Sequence, residues 1–110
     1  MKIYDLNELT EFSTEKPVKK HFLNAKGFHA AVISLTRGVE IPPHPEDYGV
    51  FFTVIRGKGI FTKSNEAVTL NINQGLYVKK DEVRGIRALE DLVVLGVQDR
   101  PKKLSLNEVK

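Results

Sequence analysis

Gly38-Val39-Glu40-Ile41-Pro42-Pro43-His44-Pro45-Glu46-Asp47-Tyr48-Gly49-Val50 is the stretch on which the fold of this chain turns, with Phe51-Phe52-Thr53-Val54-Ile55-Arg56 and Gly57 directly after it. Glycine enters turn conformations that other residues resist, so Gly38 and Gly57 punctuate the segment. The prolines fix φ and lack an N–H, which makes Pro42-Pro43-His44-Pro45 read as a rigid rim loop. Side chains alternate along extended backbone, so His44 and Glu46 share a face while the adjacent Glu46 and Asp47 point to opposite sides. From Val50 to Arg56 nearly every position is apolar. That predicts a central strand with both faces covered, one by a barrel interior and the other by a second sheet or a second subunit.

Outward from this segment the chain keeps the same character. Short apolar or alternating runs at Val18–Leu23, Phe28–Thr36, Gly59–Lys63, Ala67–Ile72, Leu76–Val78, Gly85–Leu89 and Leu92–Gln98 are predicted as strands. They are separated by Asn24-Ala25-Lys26-Gly27, Arg37-Gly38, Gly57-Lys58-Gly59, Ser64-Asn65-Glu66, Asn73-Gln74-Gly75 and Glu90-Asp91, all rich in turn chemistry. Gly57-Lys58-Gly59 reads as a hairpin turn, since no helix follows it to receive a phosphate. One helical turn over Glu8–Phe12 with Asn7 as its cap is predicted near the start, before Pro17 returns the chain to an extended course. The pattern is that of an all-β sandwich or small barrel.

At 110 residues and 41% hydrophobic the chain suits one domain with one core. The expected organisation is a single domain over 1–110: an arm at 1–17, the barrel at 18–99 and a tail at 100–110. No apolar run approaches the roughly 20 residues that span a bilayer, and the polar start lacks a secretion signal, so a cytoplasmic protein is expected. Cysteine is absent, which excludes disulfides and thiolate chemistry and leaves histidine and carboxylates as the strong metal ligands. The net charge of +3 is dispersed in short pairs such as Lys19-Lys20 and Lys79-Lys80 with acidic residues interleaved, so neither nucleic acid nor membrane is expected as a partner.

The spacing of the opening segment resembles the first motif of the cupin family: Gly38, five residues, His44, one residue, Glu46, three residues, Val50, six residues, Gly57. Glu46 stands at the second histidine position of that motif and Val50 at its glutamate position. Gly75-Leu76-Tyr77-Val78-Lys79-Lys80-Asp81-Glu82-Val83-Arg84-Gly85-Ile86 resembles the second motif, with Gly75 kept, Asp81 in place of proline and Val83 in place of glycine. Strict counting puts Ile86 at the histidine position. A shorter turn puts Arg84 there, and because the two lie two residues apart both face the same way. The resemblance covers roughly residues 28–99 and implies an antiparallel double-stranded β-helix, the jelly-roll barrel of that family, as a homodimer with its pocket between two sheets.

In that family the resemblance implies a divalent transition metal held by three histidines and a glutamate. This chain offers His44 and Glu46 as metal ligands, with His21, His29 or Tyr48 as candidates to complete the set. A sharper expectation follows from Arg84, whose guanidinium replaces the lost cation and pairs with Glu46, or receives a small acidic ligand; the alternative places Arg84 at the rim in solvent. His44 also reads as a cap of the rim loop. The preferred function is binding of a small organic molecule, an acidic one where Arg84 receives it, with His44, Glu46, Tyr48 and Arg84 at its polar end and Val50, Phe52 and Val54 around the rest. A metal-dependent oxygenase or isomerase using His44, and a dimeric scaffold with a filled pocket, are the alternatives.

Overall fold

The computed structural model describes residues 1–99, so the expected tail at 100–110 lies outside the described residues. Among the described residues nine antiparallel strands follow in order: β1 (Val18–Ala25), β2 (Phe28–Leu35), β3 (Glu40–His44), β4 (Val50–Arg56), β5 (Gly59–Lys63), β6 (Glu66–Leu70), β7 (Gly75–Val78), β8 (Arg84–Ala88) and β9 (Leu92–Asp99). They form a five-stranded sheet, β1-β2-β9-β4-β7, facing a four-stranded sheet, β3-β8-β5-β6. This is the expected two-sheet barrel. Its tight turns follow from local chemistry: Ala25 pairs with Phe28 across Lys26-Gly27, where Gly27 has φ +97°. Lys63 pairs with Glu66 across Ser64-Asn65 in the same way.

Four local expectations need correction. The rim segment is a strand: β3 pairs with β8 at a sheet edge, and its register breaks between Ile41 and His44, where Pro42-Pro43 has no N–H to give. Gly57 does not close a hairpin, because β4 and β5 belong to different sheets and the turn carries the chain between them. Gly57 has φ +83°, and a Cβ there would collide with the Asp91 carbonyl, so only glycine fits. At the start, turns begin at Asp5 instead of Glu8, and the Asp5 carboxylate, not Asn7, accepts the first free N–H, that of Asn7.

The fourth correction concerns β4, which lies beside the central strand β9 and has no second sheet of this chain over its outer face. Val50, Phe52 and Val54 point into the barrel, whereas Phe51 is 46% exposed and its cross-strand neighbour Tyr77 is 50% exposed. The strand covered on both faces is β2. There the N-terminal arm crosses the outer side, with the Glu11 N–H donating to Ser34 Oγ and the Thr36 hydroxyl donating to the Ser13 carbonyl. Val32 and Ser34 are fully buried as a result.

The barrel interior divides along its strands. At one end Leu35 lies opposite Leu92 and Val54 opposite Val94, all fully buried. Phe61 closes this half and meets Phe52 at 5.8 Å between ring centroids, in tilted aromatic contact. Each such burial stabilises the fold by about 1.5–3 kcal/mol. At the other end the residues in register are Phe52 with Gly96, Val50 with Gln98, and His44 with Arg84, so apolar bulk gives way to small and polar groups. No helix among the described residues is long and apolar enough to cross a membrane.

Candidate functional site

The polar half of the barrel holds a partly open cavity of about 40 Å³ between the sheets. Strand β4 contributes Val50 and Phe52, β3 contributes Ile41 and His44, and β8 contributes Arg84 and Ile86. Tyr48 comes from the loop before β4. All the residues expected at the site line it except Glu46, which reaches it only through His44, and Val54, which is sealed in the core. Sequence reasoning missed Lys19, Ala31, Ile33, Gly96 and Gln98, which complete the lining from the five-stranded sheet, and Ile41 and Gly85 from the other sheet. For β9 the signal was present, since alternation from the buried Leu92 and Val94 places Gly96 and Gln98 on the same inward face.

Arg84 is the chemical centre of this cavity. It is 3% exposed and directly opposite His44 across the β3–β8 ladder, so it is not a rim residue in solvent. Ile86 faces the same interior from within the core cluster, as both readings of the second motif required. The expected Arg84–Glu46 pair does not form. Instead Nε donates to the Glu82 carbonyl at 3.1 Å, and Nη2 donates to the Tyr48 and Lys79 carbonyls, each at 2.9 Å. The guanidinium also lies 5.1 Å from the Tyr48 ring centroid. Nη1 is buried and carries no hydrogen bond. No carboxylate is salt-bridged to Arg84 among the described residues, so a cation is held in the barrel wall with neutral partners only.

The frame that fixes Arg84 comes from both motif segments. The Asp81 N–H donates to the Glu46 carbonyl at 2.7 Å, and Asp81 has φ +68°. Proline at this position would supply no N–H and cannot adopt that φ, which accounts for its replacement. Glu82 stiffens the same turn by accepting from the Lys79 N–H and the Ser64 hydroxyl. These two bonds, the backbone one foremost, lower the Glu82 carboxyl below its usual value. The turn therefore presents the Lys79 and Glu82 carbonyls to Arg84.

Glu46 is engaged elsewhere. His44 Nε2 lies 2.9 Å from Glu46 Oε2, and His44 Nδ1 donates to the Pro42 carbonyl at 2.8 Å. Carbonyl and carboxylate oxygens are both acceptors, so both ring nitrogens are turned to oxygen and neither is left for another ligand. The rim cap and the polar site residue are thus one side chain. Beside it, burial raises the Tyr48 hydroxyl above its ordinary value, and the Glu46 charge adds to the rise while Arg84 opposes it.

These residues do not fit a resident metal. Among the described residues no group of three or more histidines and carboxylates converges. His44 has both ring nitrogens occupied, Val50 stands at the glutamate position and a buried guanidinium faces His44, where a cation would meet repulsion. His21 and His29 do not complete a set, since neither lines the cavity. His21 lies on the edge strand β1, where partial burial first and then the neighbouring Lys19 and His29 lower its pKa.

No family model matches the chain, and no curated protein matches it. Solved structures do. An RmlC-like cupin from Desulfovibrio desulfuricans aligns with TM-score 0.82 at 22% identity, covering 90% of this chain and 96% of that one. An uncharacterised protein with a double-stranded β-helix domain from Klebsiella pneumoniae aligns with TM-score 0.82 at 20% identity, over 90% of each chain. A protein from Thermus thermophilus aligns with TM-score 0.84 at 19% identity, covering 92% of this chain and all of the other. At these identities the likeness concerns architecture, and the architecture is the cupin fold.

Proposed function

Starting from a cupin barrel with Glu46 and Val50 at donor positions of the first motif and Arg84 and Ile86 on the inward face of the second, we propose that this protein binds a small organic acid, with Arg84 as the anchor for its carboxylate. The observation that carries the reading is the Arg84 guanidinium: nearly fully buried, salt-bridged to no carboxylate among the described residues and with Nη1 unbonded, on a residue that lines the cavity. A buried charge without a counter-ion is costly, and an anion entering the cavity offsets that cost while gaining charge-assisted hydrogen bonds. Val50, Phe52 and Ile86 supply the apolar wall for the rest of the molecule. His44 and Tyr48 border the polar end, and Glu46 acts by holding His44.

The test is an NMR titration of the protein with propionate, repeated on Arg84→Met, which keeps length and removes charge. Hydrogen bonds to charged groups contribute about 1.5–3 kcal/mol, so affinity should fall roughly 10- to 100-fold. Equal affinity in the two proteins would reject the anchor. A second reading, a homodimeric scaffold with a largely filled interior, draws support from the small cavity and from the open Phe51–Tyr77 surface of β4 and β7. Saturating acids that leave every amide resonance in place, together with a stable dimer in sedimentation, would favour that reading.

A further inference from the structure

The cavity exists where β9 omits a side chain. The inward positions of β9 run Leu92, Val94, Gly96, Gln98, and Gly96 lies level with Ala31 of β2 on one side and Phe52 of β4 on the other. A Cβ built at Gly96 would meet Ile33 Cδ1 at 3.6 Å and the Phe52 ring at 3.7 Å, ordinary van der Waals distances. The other glycine lining the cavity behaves differently: at Gly85 a Cβ would meet three Pro43 atoms at 3.0 Å, so that glycine is required by a close backbone approach. Gly96 has no such requirement. It leaves open space that a methyl group would occupy without moving the fold.

Resting on the organic-acid reading above, we propose that the ligand is a short, unbranched monocarboxylate and that Gly96 sets its maximum length. Three features lead to this class. A cavity of about 40 Å³ offers roughly three water-sized positions, room for an acid of about three to five non-hydrogen atoms. Arginine carries five N–H donors, and three are committed to the Glu82, Tyr48 and Lys79 carbonyls. The two on Nη1 remain for the oxygens of one small anion. Arg84 is also the only buried cation among the described residues, which matches one negative charge. The other cation lining the cavity, Lys19, is exposed. The aliphatic tail then lies toward Gly96, between Phe52 and Ile33.

The experiment is an NMR titration of the whole chain, at constant ionic strength, with formate, acetate, propionate, butyrate, hexanoate and inorganic phosphate, on wild type and Gly96→Ala. Affinity is expected to peak at acetate or propionate and to fall at least 10-fold for hexanoate and for phosphate. Gly96→Ala should melt close to wild type, move the optimum toward formate and weaken propionate at least 10-fold. Affinity that rises steadily to hexanoate, phosphate binding as tightly as acetate, or unchanged propionate binding by Gly96→Ala would overturn the length limit and leave the Arg84 anchor standing. Failure of every acid to bind wild type would overturn both. If the variant does not fold, the chain-length profile of wild type decides alone.

Discussion

The two ends of this barrel are built on the same strands and differ in what those strands point inward. Along β9 the interior passes from Leu92 and Val94 to Gly96 and Gln98; along β8 it passes from Ala88 and Ile86 to Arg84; along β4 Val54 gives way to Phe52 and Val50. One half is sealed by aliphatic and aromatic side chains. The other is held open by a glycine and fixed by hydrogen bonds between Arg84, Tyr48, Lys79 and Glu82. The contrast teaches that apolar packing and polar chemistry are divided lengthwise: the sealed half carries the fully buried bulk, and the open half carries the cavity and its polar groups.

The comparison breaks most readily at Phe61, which is fully buried in the sealed half. Phe61→Ala should cost about 3–5 kcal/mol in chemical denaturation, and a loss below about 1 kcal/mol would show that this half is not the structural one. A sharper version uses one strand and one residue type. Val54→Ala should cost about 2–3 kcal/mol, and Val50→Ala distinctly less because Val50 already borders a cavity; equal losses would erase the distinction. Smaller effects appear with pH. The raised Tyr48 hydroxyl keeps its proton in the native state where the unfolded chain loses it near the usual value of 10.0. Its contribution is therefore complete below that value and is lost as pH rises beyond it. Tyr48→Phe should flatten the alkaline arm of stability against pH. The smallest effect belongs to Glu82, whose lowered carboxyl contributes stability above 4.5 that is lost as pH falls through its folded value. Glu82→Gln should remove that part of the acid arm and leave the alkaline arm unchanged.

Much of this fold was legible because alternation and turn chemistry act locally. Eight of the nine strands follow from apolar runs between glycine and Asx turns, and β3 escaped notice because Pro42-Pro43 argues against a strand everywhere except at an edge, which is where it lies. The site was legible in part. Spacing placed His44 beside the cavity and put both Arg84 and Ile86 on one inward face, but it gave no measure of which carboxylate lay nearest the guanidinium. Glu46 is two residues from His44 and reaches it first, a short-range pairing that outcompeted the expected one with Arg84. The carbonyl cradle around Arg84 was illegible for a different reason: backbone acceptors belong to every residue, and only the left-handed turn at Asp81 aims these. Gly96 and Gln98 could have been found by continuing the alternation of β9 past Val94.

The central claim is that Arg84, within a barrel unsuited to a metal, receives a carboxylate. A crystal structure of the protein grown with propionate tests it most directly. The account expects a carboxylate oxygen within hydrogen-bonding distance of Arg84 Nη1 and the aliphatic carbons against Phe52 and Gly96. A transition metal coordinated by His44 in that cavity, or propionate bound only elsewhere on the surface, would contradict it.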